Sequence, residues 1–343
     1  MKINKNKIIL ALFDNLIWIL LLFSVLLFSS MTSRYFTQQN FTNILIHSAV
    51  LGVMVVGQSF TLITGNFDLS AESILGLTAI IGAWLITPAG TPYFGSGWML
   101  SPIIGLAVMY AVGLFIGWLN GILISKLKMN NFIVTLAMLI ILRGMVLVWN
   151  QGESITGMPE SFLKLGGGYI GPFPLSVLAM IFLFVIAFLI TNYTRFGRNM
   201  YAVGGNRDAA VASGINADKL VRQVYLISGF LAAFAAWMQL GRIGVAMEQL
   251  GEGMIFEIQA AAVIGGISLF GGRGNMIGAL GGVLLLASIN SGLNLMRVSG
   301  FVIDAVRGVI ILLAMLIDAQ KVRYKSIETD GNVKPMKNSA EDA

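Results

Sequence analysis

The chain has 343 residues, of which 57% are apolar and only 11% charged, less than half of the roughly 25% charged share of an average soluble domain. It contains no cysteine, which excludes disulfides and thiolate metal sites. Its formal net charge of +6 falls in short loops and tails, a placement explained by membrane topology rather than by a nucleic-acid partner.

Apolar runs near the ~20 residues needed to cross a bilayer core recur along the chain. In order they are Ile8–Ser30, Ile44–Thr64, Ala71–Thr87, Met99–Ser125, Phe132–Trp149, Phe173–Asn192, Gln223–Leu240, Phe256–Phe270, Asn275–Met296 and Phe301–Asp318. They predict an all-α integral membrane protein with about ten transmembrane helices. One transmembrane domain is expected over residues 1–320, with a loop at 194–222 and a charged, disordered tail over 321–343. The first run is longer than a signal-peptide core, and Ser29–Ser33 offers no A-x-A-like cleavage site, so it reads as a span. Most of the 22 Lys and Arg residues collect on the side of the N-terminus, leaving Arg34, Lys164, Arg242 and Arg297 opposite. This bias predicts that both termini are cytoplasmic.

Much familiar chemistry is missing. No lysine follows a glycine, so the chain has no P-loop for ATP. Gly166, Gly168 and Gly171 match G-x-G-x-x-G, but they lie in an expected outer loop without a preceding strand, and the match reads as chance. The single histidine, His47, reads as a packed or interfacial side chain near the outer end of its span. No HExxH, acidic cluster or G-x-S-x-G supplies a hydrolase, and no metal site or catalytic residue is expected. Asp304 and Arg307, spaced i, i+3, suit mutual neutralisation, and Arg143 is expected to snorkel outward from its span. Such scarce intramembrane charge argues against an ion-coupled secondary transporter, which stays as the alternative.

Two polar segments interrupt the apolar pattern. The first runs from Gly65 to Ser73, where Asp68 or Ser70 suits an N-cap of the third helix, and Glu72 follows. The second, Gly251–Ala260, opens the eighth span. Phe67–Ala71 and Phe256–Ala260 share an order of Phe, acid, aliphatic, polar, Ala. Since the spans they open differ by an odd number, opposite orientations and a candidate inverted repeat follow. Irregular polar backbone at membrane depth is tolerated mainly where it is buried in protein or lines a cavity. Asp68, Ser70, Glu72, Glu257 and Gln259 are therefore candidates for shaping a translocation path.

The longest cytoplasmic loop carries a short predicted helix. Asn206 suits its N-cap, Asp208 the positive end of its dipole and Gly214 its C′ stop. Two turns of Ala209, Ala210, Ala212 and Ser213 bury little, so the helix should dock on its own chain or on a partner.

This loop, with Gly204-Gly205-Asn206, Ala209-Ala210 and Ser213-Gly214-Ile215, resembles the coupling loop of ABC importer permeases of the ribose, galactoside, xylose and autoinducer-2 group. The resemblance continues through Gly251–Gly253, Gly265–Gly274 and Asn290–Asn294, and covers about residues 40 to 318. Upstream, Gly65–Ser70 is similar to the family's Gly-Ile-Asp-Leu-Ser segment. Asn66-Phe67 here replaces its Gly-Ile, and Ala71-Glu72-Ser73 replaces a following Val-Gly-Ser. The resemblance implies a bacterial plasma-membrane permease, not an enzyme, that passes a small neutral solute such as a monosaccharide, a polyol or an autoinducer-2-like molecule. It implies a separate cytoplasmic ABC ATPase that holds ATP and Mg, an external solute-binding protein and a second permease copy or homologue. The coupling contact would be Gly204, Gly205, Asn206, Ala209, Ala210, Ser213, Gly214 and Ile215.

Overall fold

The computed structural model describes residues 5–303 and, beyond them, 305, 306, 308, 309, 312 and 316, with side chains from Leu16 onward. The expected Asp304–Arg307 pairing, most of the last apolar run and the tail lie outside the described residues. The elements in order are α1 (Lys5–Met31), α2 (Gln38–Ile63), α3 (Ala71–Ile86), α4 (Pro102–Ser125), α5 (Asn131–Asn150) and α6 (Glu160–Gly167). The two-residue strands β1 (Tyr169–Ile170) and β2 (Phe173–Pro174) precede α7 (Leu175–Tyr193), α8 (Arg195–Gly205), α9 (Arg207–Ala212), α10 (Ala217–Ile243), α11 (Met254–Ile264) and α12 (Met276–Leu295).

Among the described residues, six helices are long and apolar enough to cross a membrane: α2, α4, α5, α7, α10 and α12. Leu16–Met31, α3 and α11 are shorter apolar helices. Helix is the economical answer here, because each apolar segment satisfies its own backbone N–H and C=O groups where no water can. Side chains close several ends: Thr37 accepts from the Asn40 amide, Asn130 from Phe132 and Ile133, and Asn275 from Gly278.

α2 stands at the centre, against α7, α8, α10, α11 and α12. α10 lies along α4 at near-backbone contact, since a Cβ on Gly117 would overlap the Tyr225 carbonyl and one on Gly121 would come within 2.9 Å of the Arg222 Cα. Small residues that admit a neighbouring backbone this closely replace hydrophobic drive as the source of helix–helix adhesion in lipid. α11 meets α12 the same way, through Gly265 with Gly278 and through Ala261 with Gly282. α1 packs Ile17 and Phe28 against Gly281 and Gly292 of α12.

Three expectations are corrected. The apolar run Phe256–Phe270 is not one helix: α11 has 11 residues, about 16 Å at 1.5 Å each, too short for a ~30 Å core. Gly266, at φ +89°, stops it in a left-handed turn in which Ile267 N–H reaches back to the Ala262 carbonyl. The stretch Arg195–Gly205, read as loop, is helix α8, and α10 begins at Ala217, so Lys219 and Arg222 lie in its opening turns. Gly166 belongs to helix α6 and packs on the Met238 carbonyl, so the segment read as an outer loop is partly folded. One end of the bundle gathers the α4–α5 turn, α9 and the start of α10, where Asp218 pairs with both Lys128 and Arg207. We refer to it as the basic end.

Candidate functional site

The segment Gly65–Ser73 leaves α2 at the basic end and turns into α3. Asp68 is 1% exposed. Its Oδ1 accepts from the Ser70 amide at 3.1 Å and the Ser70 hydroxyl at 2.6 Å, while its Oδ2 accepts from the Ser228 hydroxyl of α10 at 2.6 Å. Neither Asp68 nor Ser70 caps α3 in the expected way: Ser70 holds the N-cap position without a side-chain cap bond, and Asp68 instead ties the turn ahead of the helix. The Ser70 hydroxyl also accepts from Asn120 Nδ2 of α4 at 2.9 Å. Tyr225 of α10 donates its hydroxyl to the Phe67 carbonyl, and Asn131 of α5 donates to Asn66 Oδ1 at 3.2 Å. α3, α4, α5 and α10 thus meet in one buried polar hub. Buried polar groups are tolerated when they are paired in this way.

Glu72 extends the hub to α11. Its Oε2 accepts from the Ile255 amide at 2.8 Å, so a carboxylate on the first turn of α3 satisfies the opening backbone of α11, where negative charge meets the helix dipole favourably. Arg143 does not snorkel outward as expected. It turns inward, donating from Nη1 to the carbonyls of Glu248 at 2.8 Å and Leu250 at 3.4 Å, with Nη2 lying 3.9 Å from Glu72 Oε1. The reason is supply: the irregular segment before α11 leaves the Glu248 and Leu250 carbonyls outside any helix, and a guanidinium can serve both of them.

Of the five expected path residues, the structure joins Asp68, Ser70 and Glu72 in one hub. Glu257 and Gln259 lie apart on α11, half-buried, and Gln259 Nε2 is buried without a hydrogen-bond partner. The two matching pentapeptides are not equivalent in backbone: Phe67–Ser70 leads into α3, whereas Phe256–Ala260 lies inside α11. Sequence reasoning missed Asn120, Tyr225 and Ser228. The available signal was an Asn and a Ser inside apolar runs, where polar side chains usually have a task. His47 is exposed rather than packed in the core, with Nδ1 3.0 Å from Arg242 Nη1.

At the basic end, α9 is a capped two-turn helix. Asn206 Oδ1 accepts from the Ala209 amide at 2.9 Å, and Gly214 takes φ +84° as the Ile215 amide bonds to the Ala210 carbonyl at 3.0 Å. Ala210 alone among its helical residues is buried, at 5% exposure, packed on the chain's own core. Asp208, Ala209, Val211, Ala212, Ser213 and Gly214 stay exposed. Gly204, expected on the same surface, faces the other way, since a Cβ there would overlap the Ile63 carbonyl. Gly205 is exposed and Ile215 partly so.

A family model described as branched-chain amino acid transport system, permease component, matches residues 40–315. The ribose import permease protein RbsC of Bacillus subtilis (strain 168) is 36% identical over 299 residues, 87% of this chain and 90% of that protein. The galactose/methyl galactoside import permease protein MglC of Haemophilus influenzae is 34% identical over 334 residues, 94% of this chain and 99% of that protein. The L-arabinose ABC transporter permease protein AraH of Azospirillum brasilense is 30% identical over 316 residues, 92% of this chain and 88% of that protein. No solved structure matches the chain significantly. Similarity over nearly the full length of several import permeases decides against the ion-coupled alternative. The chain therefore belongs to the family of multi-pass membrane permease components of ABC importers.

Proposed function

We propose that this permease carries a monosaccharide or a related small neutral polyol across a bacterial inner membrane, with its basic end in the cytoplasm, both termini inside and ten crossings, one of them made by α11 together with the irregular segment before it. The observation that supports it most is the near full-length similarity to ribose, galactoside and arabinose permeases. A neutral polyol is recognised through hydrogen bonds, and the partly exposed Glu257 and Gln259 carry hydrogen-bonding side chains on α11. Asp68, Ser70 and Glu72 act from behind, by holding the starts of α3 and α11. A separate cytoplasmic ATPase binds the exposed face of α9, an external binding protein delivers the solute to the opposite end, and a second copy or homologue completes the pathway. Loop movements driven by ATP would switch the bundle between outward- and inward-facing states.

The test is purification of the tagged chain from its host in mild detergent, identification of co-purifying proteins, and reconstitution into liposomes. ATP-dependent accumulation of D-ribose, D-galactose or L-arabinose, with an ATPase in the complex, is the expected result. Absence of any ATPase from the purified complex would overturn the reading. Since the chain has no cysteine, single cysteines at Ala212 and Glu153 report sidedness, and labelling of Ala212→Cys from outside intact cells would reverse the orientation.

A further inference from the structure

Helix α8 ends against the root of the hub. Its inner face presents Gly197, Met200 and Val203 to the bundle, and its last turn runs between the end of α2 and the loop that leaves α11. Three stretches of backbone meet there with no side chain between them. The Gly272 amide donates to the Ile63 carbonyl at 2.8 Å. A Cβ on Gly204 would overlap that same carbonyl and approach Gly272 N to 2.6 Å, and one on Gly271 would lie 2.8 Å from the Gly65 Cα. Beside this junction the Tyr201 hydroxyl donates to the Gly274 carbonyl at 2.8 Å, the one side-chain bond recorded between α8 and the loop after α11 among the described residues.

The same junction touches both irregular elements of the fold. Gly65 opens the segment that carries Asp68 into α3, and Gly271–Gly274 lie just past the end of α11. On its other side α8 passes directly into α9, with Asn206 serving as the last-turn cap of one and the first-turn cap of the other. Contacts between bare backbones have little freedom to yield by rotamer change, so displacement on one side is passed on rather than absorbed. α11 is the element suited to respond, being short, bounded by loops at both ends and held at its start by the Glu72–Ile255 bond.

Resting on the importer reading above, we propose that Tyr201 is a positioning residue for energy coupling: its bond to Gly274 locks α8 to the loop after α11, so that ATPase-driven displacement of α9 moves α11. Gly204 belongs to this inner joint rather than to the ATPase-facing surface.

The experiment uses the complex captured with its ATPase, in nanodiscs, and needs no transported solute. A single reporter cysteine replaces Phe256, which is 63% exposed on α11, in a chain without other cysteines. Its maleimide labelling rate is measured nucleotide-free and after trapping with ATP and vanadate. Trapping should change the rate in the otherwise wild-type chain. Tyr201→Phe should reduce that change about fivefold, the effect of one lost hydrogen bond on a two-state balance, while captured ATPase and its hydrolysis rate are retained. Tyr193→Phe, at the exposed end of α7, should behave as wild type. An undiminished change in Tyr201→Phe, or no nucleotide-dependent change at position 256 in the wild type, overturns the proposal. A wild-type chain that captures no ATPase defeats the importer reading itself, and this inference with it.

Discussion

The segment Gly65–Ser73 and the α9 turn are similar in length, and both are built from small and polar residues, yet the fold treats them in opposite ways. In the first, the side chains of Asn66, Asp68, Ser70 and Glu72 are buried and bonded to α4, α5, α10 or α11. In the second, Arg207 pairs with Asp218 of α10 and one alanine docks, while the cap of Asn206 closes the helix upon itself and the rest of the turn faces out. Polarity alone therefore does not mark a contact surface. A polar segment whose groups are consumed internally fixes geometry, whereas one that is stiffened by its caps and left bare is prepared to meet something else.

If that contrast is right, changes in the hub should be read first in stability. The largest effect is expected for Arg143→Met, which leaves Glu72 buried beside no cation and two carbonyls short of a donor. Breaking a buried ion pair from one side typically costs about 3–5 kcal/mol, and SDS-titrated unfolding in micelles measures it. Adding Glu72→Gln should recover part of the loss, because the orphan charge is removed. An Arg143→Met chain as stable as wild type would show that the pair does not hold α11. Asp68→Ala comes next: the hydroxyls of Ser70 and Ser228 lose their acceptor, at about 1–3 kcal/mol for a buried group left unmade. Asp68→Asn keeps an acceptor and should lose less in the same titration. Equal losses for the two variants would mean that space, not hydrogen bonding, decides at position 68.

The sequence made parts of this contrast legible and hid others for physical reasons. The long apolar helices follow from composition, since a lipid-facing segment has no other way to satisfy its backbone. The ends of α9 were equally legible, because Asn206 and Gly214 act through bonds to residues within a few positions. The partners of Asp68 were not. Ser228 lies 160 residues away, and a contact of that kind depends on how helices pack, not on local pattern. α8 was obscured by Gly197, Gly204 and Gly205, which lower helix propensity; the fold uses the first two for close approach to neighbouring backbone. The shortness of α11 was masked because apolar residues continue past its stop into Ile267 and Phe270. Arg143 looked free to reach outward because nothing local announces the carbonyls of Glu248 and Leu250 that draw it in.

On the other side of the comparison, effects on stability should be small and local. Asn206→Ala removes the oxygen that accepts from the Ala209 amide, and a lost cap costs about 1 kcal/mol. The expected readout is faster amide exchange confined to residues 207–213, with unfolding of the bundle almost unchanged. Exchange that spreads into α10 would show that α9 is structurally joined to the bundle rather than laid upon it.

The smallest effect on stability, with the sharpest effect on function, is expected for Val211→Glu. A bulky residue at Ala210 would be a poor probe, because Ala210 is buried and its enlargement would push α9 off its own chain. Val211 is 53% exposed and is the largest apolar side chain on the outer face of α9. An exposed position away from caps and cavities usually changes stability by no more than about 0.5 kcal/mol, so the unfolding titration should not move. Within a docked interface the same change would be severe, since it replaces buried apolar surface with a carboxylate that must lose its water. The chain should therefore reach the membrane in normal amount and capture far less ATPase, with uptake falling in proportion. Full ATPase capture by Val211→Glu would mean that the partner meets another face, and the difference drawn between the hub and α9 would lose its functional meaning.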